Sequence, residues 1–474
     1  MSGEYGYDAI MARRAGIMQA SLGIDYGLLE TGAIAFDYER LFTDTGYDIE
    51  TTRAVQDRTA VGRTPLVALE NVTELVRGIS SPGKGAQIFV KDEAANPSGS
   101  FKDRRASLSI HEAAQRGYAG VAAATSGNYG AAVASQAAKV GLRCIIVQEA
   151  FDSQGIAQPE IAEKTRACEA YGAEVLRLSV GPELFYMFLR VLEETGYFNA
   201  SLYSPYSILG METLGYELAE QVREHAGCFP DVVIATHAGG GNVTGTARGL
   251  IKAGATDTQL IAASVDLSGL HMASDRDFNR KSFTTGHTGF SMPFTTLPDR
   301  ADVPRNAARA LRYMDRFVTV TQGEVFYATE MLAELEGLER GPAGNTSLAA
   351  AVAIAGTLDE DRIVVVQETE YTGAGKHPLA QLNLAKRLGV EVERGDPTRN
   401  EPGKRIVIPE HTSQIAVVDV DLDKVRRSYV RNTLDSLPEG ASLGDADLEF
   451  LAAETRADQP YVREIIDELR RTRG

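Results

Sequence analysis

Residues 96–105 read NPSGSFKDRR, between the apolar run QIFV (87–90) and RRASLSIHEAAQRG (104–117). A β-rich run, a Pro/Gly/Ser loop and a stretch of helical composition make one strand–loop–helix unit. The unit recurs along the chain. Further apolar runs stand at GVAAAT (120–125), RCIIVQE (143–149), EVLRLS (174–179), DVVIAT (231–236), LIAASVD (260–266), FVTVT (317–321) and RIVVVQE (362–368). Stretches such as YGAAVASQAAKVG (129–141) and EVFYATEMLAELEG (324–337), between such runs, have helical composition. Strands alternating with helices predict an α/β fold of open, mostly parallel sheets covered by helices.

Within the opening stretch, Lys102 falls where loop passes into helix. A lysine there feels the positive end of the helix dipole, and if it is also desolvated it loses affinity for its proton. Such an amine attacks aldehydes. In DVVIATHAGGGNVTGTARGLIKAG (231–254) an apolar strand runs into Gly239, Gly240, Gly241 and Asn242 and then into a helix. Glycines bring several N–H groups toward one point at a helix N-terminus, which suits a phosphate. The loop lacks Gly-Lys-Ser/Thr, so it is not the triphosphate loop; Asp266 leaves a dinucleotide reading open. In AATSGNYGAAVASQAA (123–138), Thr125, Ser126, Gly127 and Asn128 converge at a strand end, where they can hold a carboxylate and a phenolic oxygen. An ordinary helix cap by Ser126 or Asn128 reads the same way. A Schiff-base lysine, a phosphate cradle and a carboxylate-holding turn together describe a pyridoxal phosphate enzyme acting on an amino acid.

Composition narrows the field. The 474 residues carry 48 Lys+Arg against 65 Asp+Glu, a net charge of −17, which offers no broad basic face to nucleic acid or an anionic membrane. Three widely spaced cysteines, Cys144, Cys168 and Cys228, form neither a disulfide framework nor a metal-ligand pattern. No uncharged apolar run approaches a membrane span. A cytoplasmic protein without a metal site is expected.

KDEAANPSGSFKDR (91–104) resembles the cofactor-lysine signature of fold-type II pyridoxal phosphate enzymes, the group of threonine synthase, cysteine synthase and the tryptophan synthase β chain. The resemblance extends in order through GRTPL (62–66), TSGNYGAA (125–132), GMETLGYEL (210–218), AGGGNVTG (238–245), EGLERGPAGNTSLAA (336–350) and TGAGK (372–376). It implies two lobes with the cofactor between them. Lys102 would form the Schiff base; Gly239, Gly240, Gly241, Asn242, Val243 and Thr244 would bind the phosphate. Asn128 would face the 3-oxygen and Thr372 the pyridine nitrogen. Thr125, Ser126, Gly127 and Tyr129 would receive the substrate carboxylate. TGAGKH is one residue shorter than the family's spacing after the glycine.

A nearer resemblance, carried by GIDYGLLETGAIAFDYERL (23–41), GPELFYMFLRVLEETGYFNASLY (181–203), SGLHMASDRDFNRKSFTTGHTGF (268–290) and VQETEYTGAGKH (366–377), is to the pyridoxal phosphate (β) subunits of 2-amino-4-oxopentanoate thiolases. It implies CoA-dependent cleavage of 2-amino-4-oxopentanoate to acetyl-CoA and alanine in ornithine degradation, with a small α subunit as partner. The chain departs from that pattern in a longer C-terminal region, 410–474. A homodimer is also expected. Cleavage of C3–C4 leaves electrons on the β-carbon, which calls for passage from an aldimine to a ketimine, with Lys102 moving the α-proton. Oxyanion donors are sought among Thr and His of 284–288, and Arg276, Arg280 and Lys281 are candidates for the CoA phosphates. The alternative is a threonine synthase-like β/γ-replacement or elimination.

The expected organisation is an N-terminal arm (1–55), a larger cofactor lobe (56–103 and 200–395), a smaller mobile lobe (104–199) and a C-terminal extension (396–474). QPYVREIIDELRRTRG (459–474) reads as an amphipathic helix with Val462, Ile465, Ile466 and Leu469 on one face, docked at the surface. His237, His287 and His377 are read as packing or solvent residues. The Gly/Thr/Ser-rich stretch 281–296 could cover a pocket.

Overall fold

The computed structural model describes residues 5–125, 127–181, 183–268, 281–286, 294–371, 378–438 and 441–471. Each of the eight apolar runs forms a strand. The larger sheet runs, edge to edge, Leu66–Ala68, Gln87–Asp92, Ile363–Glu368, Val232–Thr236, Gln259–Val265, Arg316–Val320 and Val418–Asp419. Its five inner strands pair in parallel, and both edge strands are antiparallel. The smaller sheet is all parallel in the order Glu174–Ser179, Arg143–Phe151, Gly120–Thr125 and Phe198–Asn199. Parallel strands require crossovers, and the intervening helices supply them while covering the faces. Hence Val232, Val233, Ile234 and Val364, Val365, Val366 are all buried, with no polar-out alternation.

Two helices bring the sheets together. Pro205–Ala226 leaves the last strand of the smaller sheet and lies against both Gly241–Lys252 and Lys102–Gln115. Close approach depends on missing side chains: a Cβ on Gly215 or Gly249 would run into backbone of the neighbouring helix. The lysine helix is held from below by Arg104. Its guanidinium donates to Glu93 at 2.7 and 2.8 Å and to Glu217 at 3.1 and 3.2 Å, and all three side chains are buried.

The C-terminal region is structural. Val418–Asp419 extends the larger sheet, and Val425, Val430, Leu451, Val462, Ile465 and Ile466 join its core. The helix Gln459–Arg471 therefore buries its apolar face in the main core. At the other end, Tyr7–Leu22 packs on Glu183–Thr195 beside the smaller sheet. No described helix is long and apolar enough to cross a membrane.

Candidate active site

The carboxyl ends of strands from both sheets face one cavity of about 170 Å³. Lys102, Thr125, Gly127, Asn128, Tyr129, Gly239, Gly240, Gly241 and Asn242 all line it, so tertiary structure brings together three motifs that lie far apart in sequence. Val243 and Thr244 do not: Val243 is in the core, and Thr244 donates its hydroxyl to the Gly240 carbonyl at 2.9 Å. Ser126 and Thr372, together with Arg276, Arg280, His287 and His377, lie outside the described residues.

Lys102 opens its helix, and the preceding loop is folded back on it. Asp103 accepts from the Ser98 amide and hydroxyl at 2.7 Å each, and Gln136 donates to its other oxygen at 3.1 Å. The loop is then strapped to the segment leaving Ile363–Glu368: Phe101 N–H donates to the Thr369 carbonyl at 3.0 Å, and Tyr371 N–H to the Gly99 carbonyl at 2.7 Å. Gly99, at φ +81°, permits this close crossing. Lys102 Nζ meets no hydrogen-bond acceptor among the described residues and stands 4.3 Å from the Phe101 ring centroid. Burial, reinforced by Arg105, pushes its proton affinity well below the ordinary lysine range. A lowered proton affinity favours the uncharged amine that a Schiff base requires.

Gly239–Gly241 link Val232–Thr236 to Gly241–Lys252, and Gly240 takes φ +89°. A Cβ on Gly239 would collide with the Tyr203 hydroxyl, and one on Gly241 with the Arg105 guanidinium. Arg105 was not singled out from the sequence, although it lies in the opening stretch. It is buried, donates to Ser207 Oγ at 2.9 Å and to the Leu202 carbonyl, and pairs with no carboxylate among the described residues. An uncompensated guanidinium at a helix N-terminus calls for an anion.

At the third motif, Gly127 is the N-cap of Asn128–Val140, so Asn128 is the first helical residue and not its cap, while Ser126 lies outside the described residues. Thr125 Oγ1 accepts from Gly127 N–H at 2.9 Å. Tyr129 donates its hydroxyl to the Ala200 carbonyl at 2.8 Å. Asn128 donates instead to Glu370 Oε2, which also lies 4.0 Å from Lys164 Nζ. Glu370 and Lys164, like Glu149, Arg300 and Asp302, line the cavity and escaped the sequence reading. Only the position of Glu370 within VQETEYTGAGKH could have signalled any of them.

Two further expectations are corrected. Lys281 forms a buried ion pair with Asp152, so it is not a free cation for CoA phosphates. Asp266 is exposed, accepts from Ser268 N–H at 2.9 Å and does not line the cavity, which removes the ribose-binding acid of the dinucleotide reading. His237 is a packing residue: it lies edge-on to Phe317, 2.8 Å from Thr295 Oγ1, and burial lowers it to about 4.

The description "pyridoxal-phosphate dependent enzyme" matches residues 58–368. The chain belongs to this family. It is 62% identical to a 2-amino-4-ketopentanoate thiolase beta subunit from an unknown prokaryotic organism, over 99% of both chains. It is 59% identical to the protein of that name from Acetoanaerobium sticklandii, over 99% of this chain and 100% of the other. The 4-keto and 4-oxo names denote the same acid. Because the similarity runs end to end, residues 410–474 are part of that common pattern and not an addition to it. Maize serine racemase has the same fold, with a TM-score of 0.51 and 25% identity over 72% of this chain and 99% of the other. The cavity fits the cofactor of the family on its own geometry: a desolvated lysine at one side, and at the other a glycine cradle that a Cβ would fill, beside a guanidinium lacking an anion.

Proposed function

We propose that the chain catalyses thiolytic cleavage of 2-amino-4-oxopentanoate by CoA, giving acetyl-CoA and alanine, as the cofactor-bearing subunit of a two-subunit enzyme. The cavity supports pyridoxal phosphate chemistry on an amino acid, and the observation that carries the choice of reaction is the end-to-end similarity to the two thiolase beta subunits. That those relatives are beta subunits implies an α subunit as partner. A homodimer and a cytoplasmic location complete the proposal.

Gly239, Gly240, Gly241 and Asn242 would hold the phosphate with Arg105, Asn128 would meet the ring oxygen, and Thr125, Gly127 and Tyr129 would stand at the substrate carboxylate. Bound there, pyridoxal phosphate supplies a sink for electrons released at the substrate's α-carbon. Lys102, once its amine is freed by the incoming substrate, is the base that moves the α-proton, and its low proton affinity suits it to that role. Asn242 braces the cradle by donating its amide to the Thr236 carbonyl at 3.2 Å. Gln158 Nε2 donates to the Gly286 carbonyl at 3.1 Å and Lys281 pairs with Asp152, holding 281–286 against the end of the smaller sheet.

The test is acetyl-CoA formation from 2-amino-4-oxopentanoate and CoA by purified, cofactor-loaded chain, with and without the candidate α subunit. CoA-dependent product is the expected result. No product under either condition, with the cofactor's absorbance band in place, would move the reaction to β/γ-replacement or elimination.

A further inference from the structure

Glu370 is held in a set relation to Lys102. The segment that carries it forms a β-bridge with Ser100, and Gly341 N–H donates to its own carbonyl at 3.1 Å, so its backbone is tied on both sides. Its side chain is 1% exposed. One oxygen, Oε2, accepts from the Asn128 amide and lies 4.0 Å from Lys164 Nζ. The other, Oε1, is buried and has no hydrogen-bond partner among the described residues. Lys164 does not neutralise it outright, because that ammonium is bonded to Glu160, itself 1% exposed and within 3.4 Å of Gln381 Nε2. A buried carboxyl with one oxygen held by an amide and the other bare, lining the cavity of the reactive lysine, can take a proton and give it back.

The proposed thiolysis needs such a group. CoA–SH loses its proton as sulfur bonds to C4. When C3–C4 breaks, the electron pair stays on C3, which must gain one proton to become the methyl group of alanine. One proton is released and one is consumed. We infer that Glu370 is the carrier: it accepts the thiol proton as the S–C4 bond forms and delivers it to C3 as the C3–C4 bond breaks. This rests on the thiolase reading.

The electrostatics agree. Burial raises the Glu370 carboxyl to about 7, with Lys164 and Lys102 pulling down and Glu160 pushing up. Glu368, the neighbouring carboxyl, is itself driven well above its ordinary value by burial and by Glu370. A proton affinity near neutrality suits exchange with a thiol whose ordinary value is about 8.5. Glu149 is the other carboxyl at the cavity that burial raises, to about 8, and it sits on Arg143–Phe151 of the smaller sheet.

The experiment uses the loaded enzyme with its α subunit in D₂O, with alanine as substrate, reading Cα–H and Cβ–H exchange by NMR and cofactor affinity by titration. Cα exchange reports Lys102; Cβ exchange reports proton delivery at C3. Glu370→Gln keeps an oxygen to accept from Asn128, so cofactor affinity and Cα exchange are expected to stay within about threefold. Cβ exchange and acetyl-CoA formation should fall by about 10²-fold or more. Cβ exchange surviving in Glu370→Gln, equal loss of both exchanges, loss of Cβ exchange in Glu149→Gln alone, or no Cβ exchange in the wild type would each overturn the carrier. A wild type that exchanges Cβ through Glu370 but forms no acetyl-CoA would keep Glu370 as the group exchanging protons at C3 while sinking the thiolase reading, and with it the thiol as the source of that proton.

Discussion

Two groups of buried charge flank the start of the Lys102–Gln115 helix, and they are built on opposite terms. Beneath it, Arg104 and Lys91 face Glu93 and Glu217, and the donors are matched: Lys91 Nζ reaches Glu217 at 2.6 Å, the Thr64 carbonyl at 2.6 Å and Gln221 at 2.8 Å. In the cavity, Lys102 and Arg105 have no carboxylate in contact among the described residues. The closed cluster supports the fold. The open one leaves an amine of low proton affinity for an aldehyde and an unpaired guanidinium for an anion, which is how a binding site is kept ready at a cost in stability.

The contrast breaks most visibly at the reactive lysine. Lys102→Ala should abolish the cofactor's aldehyde-linked absorbance band and lower turnover by about 10³-fold or more, because the covalent attachment and the α-proton base go together. Absorbance spectra and initial rates check it. A variant that kept the band would place the attachment elsewhere.

Arg104→Met attacks the closed cluster. It leaves Glu93 and Glu217 buried without their main counter-charge, a loss of about 3–5 kcal/mol, read as a fall in the chemical-denaturation midpoint. Burial opposes the charge on Glu217, but Arg104 and Lys91 prevail and hold its carboxyl well below the usual range. Its contribution is therefore present above the unfolded value near 4.3 and is lost as pH falls below that. The variant should show a weaker acid-side loss of stability than the wild type.

Arg105→Met should do the reverse. Stability of the cofactor-free chain should hold or rise, since an unpaired buried charge is removed. Cofactor affinity should drop about tenfold to a hundredfold, the worth of a charge-assisted hydrogen bond of about 1.5–3 kcal/mol. Thermal melts without cofactor and a cofactor titration measure the two arms. If Arg104→Met and Arg105→Met shifted the melts alike, the distinction between closed and open clusters would fail.

Much of this was legible in the chain. The eight apolar runs came within two residues of the observed strands because buried parallel strands are continuously hydrophobic and need no partner to be seen. Phe198–Asn199, Leu66–Ala68 and Val418–Asp419 were not legible: two or three residues are too few to show a period, and they are strands only because a neighbour pairs with them. The lysine, the glycine loop and the Asn128 turn announced themselves by residue type and order. Lys164, Glu149 and Arg300 did not, since a lone charged residue reads the same whether its helix, strand or loop turns it toward solvent or toward a cavity.

Arg104 and Arg105 divide what the sequence determined from what tertiary structure decided. Local pattern alone dictates that they begin a helix after a glycine-bearing loop, beside a lysine in the first turn. An α-helix turns about a third of a revolution from one residue to the next, so neighbours of one type are sent to different surroundings. Glu217, distant in sequence, meets the first; the Leu202 carbonyl and Gly241 meet the second. Which arginine supports the fold and which is left for a ligand depends on those distant contacts, because a charge acquires its role from what is brought within a few ångströms of it.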